Sequence, residues 1–315
     1  VPTYDHSVTG EDIIRDALLL VGGVAENEPV SGQATTDALR ALNNMLKSWQ
    51  NQGLHMWARQ EVVVFGVKSQ ERYKLGPAST DAHWTDEEGF VYTKINGAAS
   101  SGASTITVDS VTDMTVGDYV GVELDDGTRQ WTTIDAINTS TLVITLNTAL
   151  TDDVADNLSV FTYTSRPQRP LRLVHARRGQ YDGEDIPMYM EPQEEYFDQP
   201  NKTTAGTAVF AAYKPTLTSG TLYAWQPVNS VKQVMKFTSE RPFADIDATS
   251  ENPDFPIEWA ECITFNLAAR LESQYRQLDG QRRNELLIMA DNMLEEAKMF
   301  DTDPGSWYIQ PDRTR

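Results

Sequence analysis

The residue types that carry most enzyme chemistry are present but poorly spaced for it. His6, His55, His83 and His175 are widely separated, and none belongs to the His-x-x-x-His pair that puts two imidazoles on one helical face for zinc. No Gly-x-Ser-x-Gly turn exposes a serine nucleophile, and no Gly-x-x-x-x-Gly-Lys loop is available to wrap a phosphate. Gly97-Ala98-Ala99-Ser100-Ser101-Gly102 is glycine-rich but lacks the lysine and the following helix, so it reads as a flexible lead into the next segment. Asp125-Asp126-Gly127 lacks the alternating oxygens and closing glutamate of a calcium loop, and a tight hairpin is expected instead. Glu194-Glu195 and Glu295-Glu296 are adjacent on helical stretches, so their carboxylates diverge; glycoside hydrolysis needs two that converge across a substrate. The single cysteine, Cys262, excludes an internal disulfide and a cysteine zinc site, and beside Ile263 and Phe265 it reads as a buried core thiol. No catalytic, cofactor-binding or metal-binding residue is assigned, and no enzyme is expected.

Charge is the stronger signal. Arg166, Arg169, Arg172, Arg177 and Arg178 follow one another with no acid among them. They could bind phosphate, or they could pair with carboxylates of a neighbouring subunit or of the adjoining acidic stretch, which suits the planar guanidinium fork. The net charge of −20, with a pI near 4.5, favours pairing, because such a surface repels nucleic-acid phosphates. Arg169, Arg172, Arg177 and Arg178 are therefore expected to form ion pairs between subunits.

The elements that must position these groups are legible from periodicity. At 315 residues, 40% hydrophobic and 23% charged, the chain suits two domains or one domain with an insertion. No apolar run approaches membrane-spanning length and the first residues do not read as a secretory signal, so no membrane partner is expected. Thr9 caps a helix carrying Ile13, Ile14, Ala17, Leu18 and Val21; Ser31 caps a second, through Leu42, Met45, Leu46 and Trp49. The period then falls to two: residues 61–67 form a strand with 71–75 as its partner, and 77–88 reads as loop. Residues 96–165 hold short β-type runs between turns, with ten acids against Arg129 alone. Further strands are expected near 171–174, 209–213, 221–225 and 234–238, with a short helix over 192–197. Asp254 and Pro256 open a third long helix through Leu271, and a last one carries Leu286 to Ala297. The fold class is α+β: a helical base from the N- and C-terminal helices, a β-rich middle, and an inserted small antiparallel β-barrel or sandwich. Residues 1–95 and 166–315 form the core and 96–165 the acidic insertion, with the β-rich middle expected to project from the helical base. After Asp303-Pro304-Gly305 comes an aromatic segment, Trp307, Tyr308, Ile309, Gln310 and Pro311, which either folds back or anchors a partner.

Several segments together resemble the head-to-tail adaptor, or packaged-DNA stabilisation, proteins of short-tailed bacteriophages. They are Asp37-Ala38-Leu39-Arg40-Ala41-Leu42-Asn43-Asn44-Met45-Leu46-Lys47-Ser48-Trp49, Arg169-Pro170-Leu171-Arg172 leading to Ala176-Arg177-Arg178, and Glu195-Tyr196-Phe197 with Pro200-Asn201-Lys202. Gly220-Thr221-Leu222-Tyr223, and Asp254-Phe255-Pro256 with Glu258-Trp259, complete a set that runs in the family's order over most of the chain. The acidic insertion resembles a β-domain found in the longer members. The resemblance implies a virion protein of the neck, made in the host bacterial cytoplasm and assembled as a ring of twelve below the portal protein. It implies contact with the tail nozzle and with tailspikes or fibres, retention of packaged DNA, and double-stranded DNA passing through without specific binding. It also implies a portal contact through Trp307, Tyr308, Ile309, Gln310 and Pro311. The alternatives are a virion-associated cell-wall glycosidase, and a receptor- or glycan-binding tail component using exposed aromatics such as Trp131.

Overall fold

A computed structural model describes residues 6–26, 28–52, 56–181, 183–275 and 278–301. The chain divides into two compact units, Val1–Ala58 with Phe243–Arg315, and Arg59–Pro242. Helices therefore stand at both ends with the β-rich part between them. Among the described residues no helix is long and apolar enough to cross a membrane.

The first unit is helical. α1 (Gly10–Leu20) starts at Thr9, whose hydroxyl accepts from the Asp12 amide while the Asp12 carboxylate accepts from the Thr9 amide, so two free N–H groups are satisfied reciprocally. α2 (Gly32–Gln50) is capped by Ser31. The short α3 (Gln193–Asp198) belongs to the other unit; α4 (Ala260–Tyr275) and α5 (Gly280–Phe300) complete this one. Ile13, Leu18, Leu42, Trp49, Ile263 and Leu271 meet in one core, so helices from the two chain ends bury each other's apolar stripes. An aromatic cluster locks them: Trp49 and Trp57 lie 5.9 and 5.0 Å from Trp259, and Trp57 stacks on Phe243 at 5.6 Å. The expected cap role of Asp254 is not observed. Its carboxylate instead accepts from the Ala244 amide, and a 3-10 turn after Pro256 leads into α4.

The second unit holds two sheets. Strands β1 (Arg59–Phe65), β2 (Arg72–Leu75) and β3 (Trp84–Asp86) begin an eight-stranded sheet. The chain then builds a six-stranded sheet from β4 (Phe90–Lys94), β5 (Thr105–Thr107), β6 (Tyr119–Glu123), β7 (Arg129–Asn138), β8 (Val143–Leu146) and β9 (Ser159–Tyr163). It returns with β10 (Arg172–Gln180), β11 (Ile186–Met190), β12 (Phe210–Pro215), β13 (Gly220–Trp225) and β14 (Gln233–Glu240). The larger sheet runs β2-β13-β12-β11-β10-β14-β1-β3, and its edge strands send Tyr73 and Trp84 into the same core. β1 and β2 are not partners, contrary to the sequence reading: β1 lies between β14 and β3, while β2 pairs with β13. The physical reason is that β1 is buried on both faces. Val62 and Val64 enter the sheet's own core, and Val63 and Phe65 pack on Phe161 and Tyr163 of β9.

The smaller sheet runs β4-β9-β6-β7-β8-β5. A bridge between Ile95 and Val108, with the Asn96 amide donating to Thr107 and the Asp109 amide to Lys94, brings its two edges together into a nearly closed barrel. Asp125-Asp126-Gly127 forms the β6–β7 hairpin as expected, with Gly127 at φ 76°. The glycine-rich segment at 97–102 is pinned rather than free: Gly97 donates to Asp156, Ser101 to Asp153, and Ala99 bridges Val154. The acids have the same explanation. Asp118, Asp125, Asp126, Asp153 and Asp156 each accept from backbone amides of nearby loops, so much of the charge imbalance is loop capping.

Candidate functional site

β10 carries three of the four arginines expected to bridge subunits, and strand alternation decides what each one meets. Residues directly opposite across a ladder share a face. On one face of β1, β14 and β10 this gives three ranks: Arg59, Glu240, Arg172; then Glu61, Thr238, His175; then Val63, Lys236, Arg177. A bulge between Leu173 and His175 keeps Arg172 in line with Glu240. Arg178 has the opposite parity and donates to the Ala208 carbonyl.

The geometry makes this face a network of ion pairs. Arg172 grips Glu240 with two bonds, Nε to Oε2 at 3.0 Å and Nη2 to Oε1 at 2.8 Å, and Arg59 Nε lies 3.5 Å from the same carboxylate. The Glu240 side chain is 2% exposed, so the two guanidinium groups replace the water its carboxylate gives up. Hydrogen bonding to Glu240 raises the Arg172 pKa above its ordinary value. Arg177 pairs with Glu61, whose other oxygen accepts from Thr238 at 2.6 Å. Lys236 reaches Glu87 at 3.1 Å and Asp185 at 3.3 Å; burial pulls its pKa down, but these two hydrogen bonds outweigh that and raise it. Arg172 and Arg177 thus have carboxylate partners in their own chain, and neither comes from residues 96–165. Arg169 precedes the strand and has no ion pair among the described residues. Sequence reading missed Glu61, Lys236 and Glu240; their alternation along β1 and β14 was the available signal.

Among the described residues, His83 at the seam between the two sheets is the histidine in a chemically suggestive place. His83 Nδ1 is 2.8 Å from the Tyr163 hydroxyl, and its ring stacks on Trp131 at 3.9 Å. Burial, then the charges of Arg166 and Arg129, push the His83 pKa down to about 3. Burial drives the Tyr163 phenol the other way, above its usual range. A neutral imidazole beside a phenol that does not ionise is packing, not a poised acid–base pair. Trp131 is correspondingly no exposed aromatic: its ring lies against His83 and covers Gly121. Cys262 is buried, which pushes its thiol up to about 12. Glu194 and Glu195 sit together on α3, and Glu295 is tied to Lys298 at 3.0 Å on α5. Among the described residues, no three of His, Cys, Asp and Glu gather closely enough to hold a metal.

No family model and no curated protein matches the chain. Among solved structures it is similar to VP17, a capsid protein of bacteriophage P23-77, at 12% identity and a TM-score of 0.12, over 61% of this chain and 77% of that one. It is also similar to the VP16–VP17 complex, a complex of the two major capsid proteins of that phage, at 10% identity and a TM-score of 0.12, over 57% of this chain and 82% of that one. Scores this low establish no common fold.

Apolar exposure offers contact surfaces instead. On α5, Leu286 and Ala290 are buried, but the intervening Leu287, Ile288 and Met289 are 40%, 60% and 45% exposed. On β11, Ile186 and Tyr189 face outward. Isolated exposed apolar residues are common and successive helix positions diverge, so Ile288, the most exposed of the three, is the candidate contact point on this helix. The expected portal-contact residues Trp307, Tyr308, Ile309, Gln310 and Pro311 lie outside the described residues.

Proposed function

We propose that this chain is a non-enzymatic structural subunit of a tailed bacteriophage, the head-to-tail adaptor that joins the portal ring to the tail. The observation that carries the reading is the common core of α1, α2, α4 and α5: the two chain ends build one helical base, which leaves Leu287, Ile288 and Met289 of α5 uncovered for a neighbour. The ordered segments that resemble the adaptor family point the same way, and several of them lie in structured elements, α2, β10, α3 and β13 among them. In this reading twelve copies close a ring on the portal, the helical base docks there with help from Trp307 to Pro311, and the β-rich unit meets the tail nozzle, tailspikes or fibres. The protein acts in the virion neck, holding packaged DNA and then forming part of its exit channel.

The acidity of the chain suits a conduit. Fixed cations would hold DNA by releasing its counterions, and here Arg172, Arg177 and Lys236 are paired with carboxylates. The test is mass measurement of the full chain alone and with purified portal protein. A monomer that becomes a twelve-membered ring only on the portal supports the proposal; a chain that ignores the portal, or retains DNA in a gel-shift assay at physiological salt, overturns it.

A further inference from the structure

One pocket in the β-rich unit belongs neither to the ion-pair face nor to the assembly reading. It is a cavity of about 150 Å³ where β4, β6 and β9 of the barrel meet the end of β10. One wall is aromatic. Tyr181 is 37% exposed, 4.6 Å from Tyr92 and edge-on to Phe161 at 5.9 Å, so a flat apolar surface reaches solvent.

Its charge is opposite to that of the barrel around it. Lys94 and Lys232 line the cavity against one carboxylate, Glu123. Glu123 is buried and already engaged: its Oε2 accepts from the Ser159 amide and hydroxyl at 3.2 and 2.7 Å, while Lys232 stays 3.7 Å from Oε1, beyond hydrogen-bond range. Lys94 is half-buried and has no ion pair among the described residues. Behind the wall stands Arg129, with Cζ 4.6 Å from the Phe161 ring centre and with Nε and Nη1 buried without a partner. Three cations against one anion, at a cleft of an acidic domain, form a field that a ligand anion would complete. Asn157 and Gln180 add amides at the same cavity, groups that can both donate to and accept from hydroxyls.

A neutral sugar would leave the lysines uncompensated, and a bare anion would leave the tyrosine face unused. We propose that this pocket binds one carboxylated pyranose unit, a hexuronic acid, with the carboxylate between Lys94 and Lys232 and the sugar's C–H face on Tyr181. Free sugar acid and the end of an acidic polysaccharide present the same chemistry.

The test is saturation-transfer NMR on the full chain with galacturonate, oligogalacturonate, galactose and acetate. Galacturonate should bind, and Lys94→Gln and Lys232→Gln should each weaken it about ten-fold, the loss expected for one charge-assisted hydrogen bond. Tyr181→Ala should abolish the transfer to sugar protons. Lys232 is well exposed, so Lys232→Gln keeps the test decisive if Tyr181→Ala folds poorly. Tighter binding of the oligomer assigns a polysaccharide end; equal binding assigns the free acid. Equal binding of galactose, equal binding of acetate, or no galacturonate transfer at millimolar concentration overturns the proposal. None of these outcomes depends on whether the chain forms a ring.

Discussion

Glu240 closes β14 with its carboxylate almost wholly out of water, between Arg172 and Arg59. Removing it leaves two guanidinium groups without their shared counter-ion. Both are partly solvated, so the cost is below that of a fully buried pair: Glu240→Ala should lower unfolding free energy by about 2 kcal/mol, read from urea denaturation. An unchanged midpoint would show the network to be ornamental. His83 makes a pH-dependent prediction. Its folded pKa is near 3, while an unfolded histidine titrates near 6.5. Below that value the unfolded chain binds a proton that the folded chain refuses. Stability should therefore fall by about 1.4 kcal/mol per pH unit from about pH 6.5 to about pH 3, then level off. His83→Gln should remove that part of the slope, and parallel pH profiles for the two proteins would contradict the assignment. Neither role was legible in the sequence. Glu240 lies far along the chain from Arg59 and Arg172, and His83 takes its environment from Trp131 and Tyr163 of another sheet.

Among the elements, helices were legible where local chemistry settles them. Thr9 and Ser31 cap as their types suggest, and the apolar positions of α1 and α2 are those the spacing marks. Most hairpins of the barrel were legible for the same reason, since turn residues act locally. β3, β4 and β11 were not: β3 is three residues inside a loop-like stretch, and β11 contains Pro187. The pairing of β1 was misread because Val62 to Phe65 are apolar at both parities, which says that a strand is buried but not between which neighbours. Gly121 of β6 gives an element-scale test. It sits opposite Trp131 of β7, and a Cβ there would come 2.7 Å from the indole. Gly121→Ala should cost about 2 kcal/mol by overpacking and lower the melting temperature. No change in melting would mean that the ring does not cover the glycine.

At the scale of the whole molecule, α5 offers a substitution that separates folding from assembly. Ile288 is 60% exposed, so Ile288→Glu should leave the chain's own unfolding free energy within about 0.5 kcal/mol. In the proposed ring the same change places a charge in an apolar contact and should prevent the mass shift on adding portal protein. A variant that assembles normally would move the contact off this helix. The burial of β1 on both faces has a different consequence, for any attempt to prune the chain. Thr85 donates to the Ser165 carbonyl at 3.2 Å, so the segments leading into and out of the barrel touch, and a short splice could remove everything between them. Such a truncated chain would turn Val63, Phe65 and Val234 toward water and should precipitate. Replacing those three with serine or threonine should return it to solution, as light scattering would record; the barrel is thus a lid on apolar ground as much as an appendage.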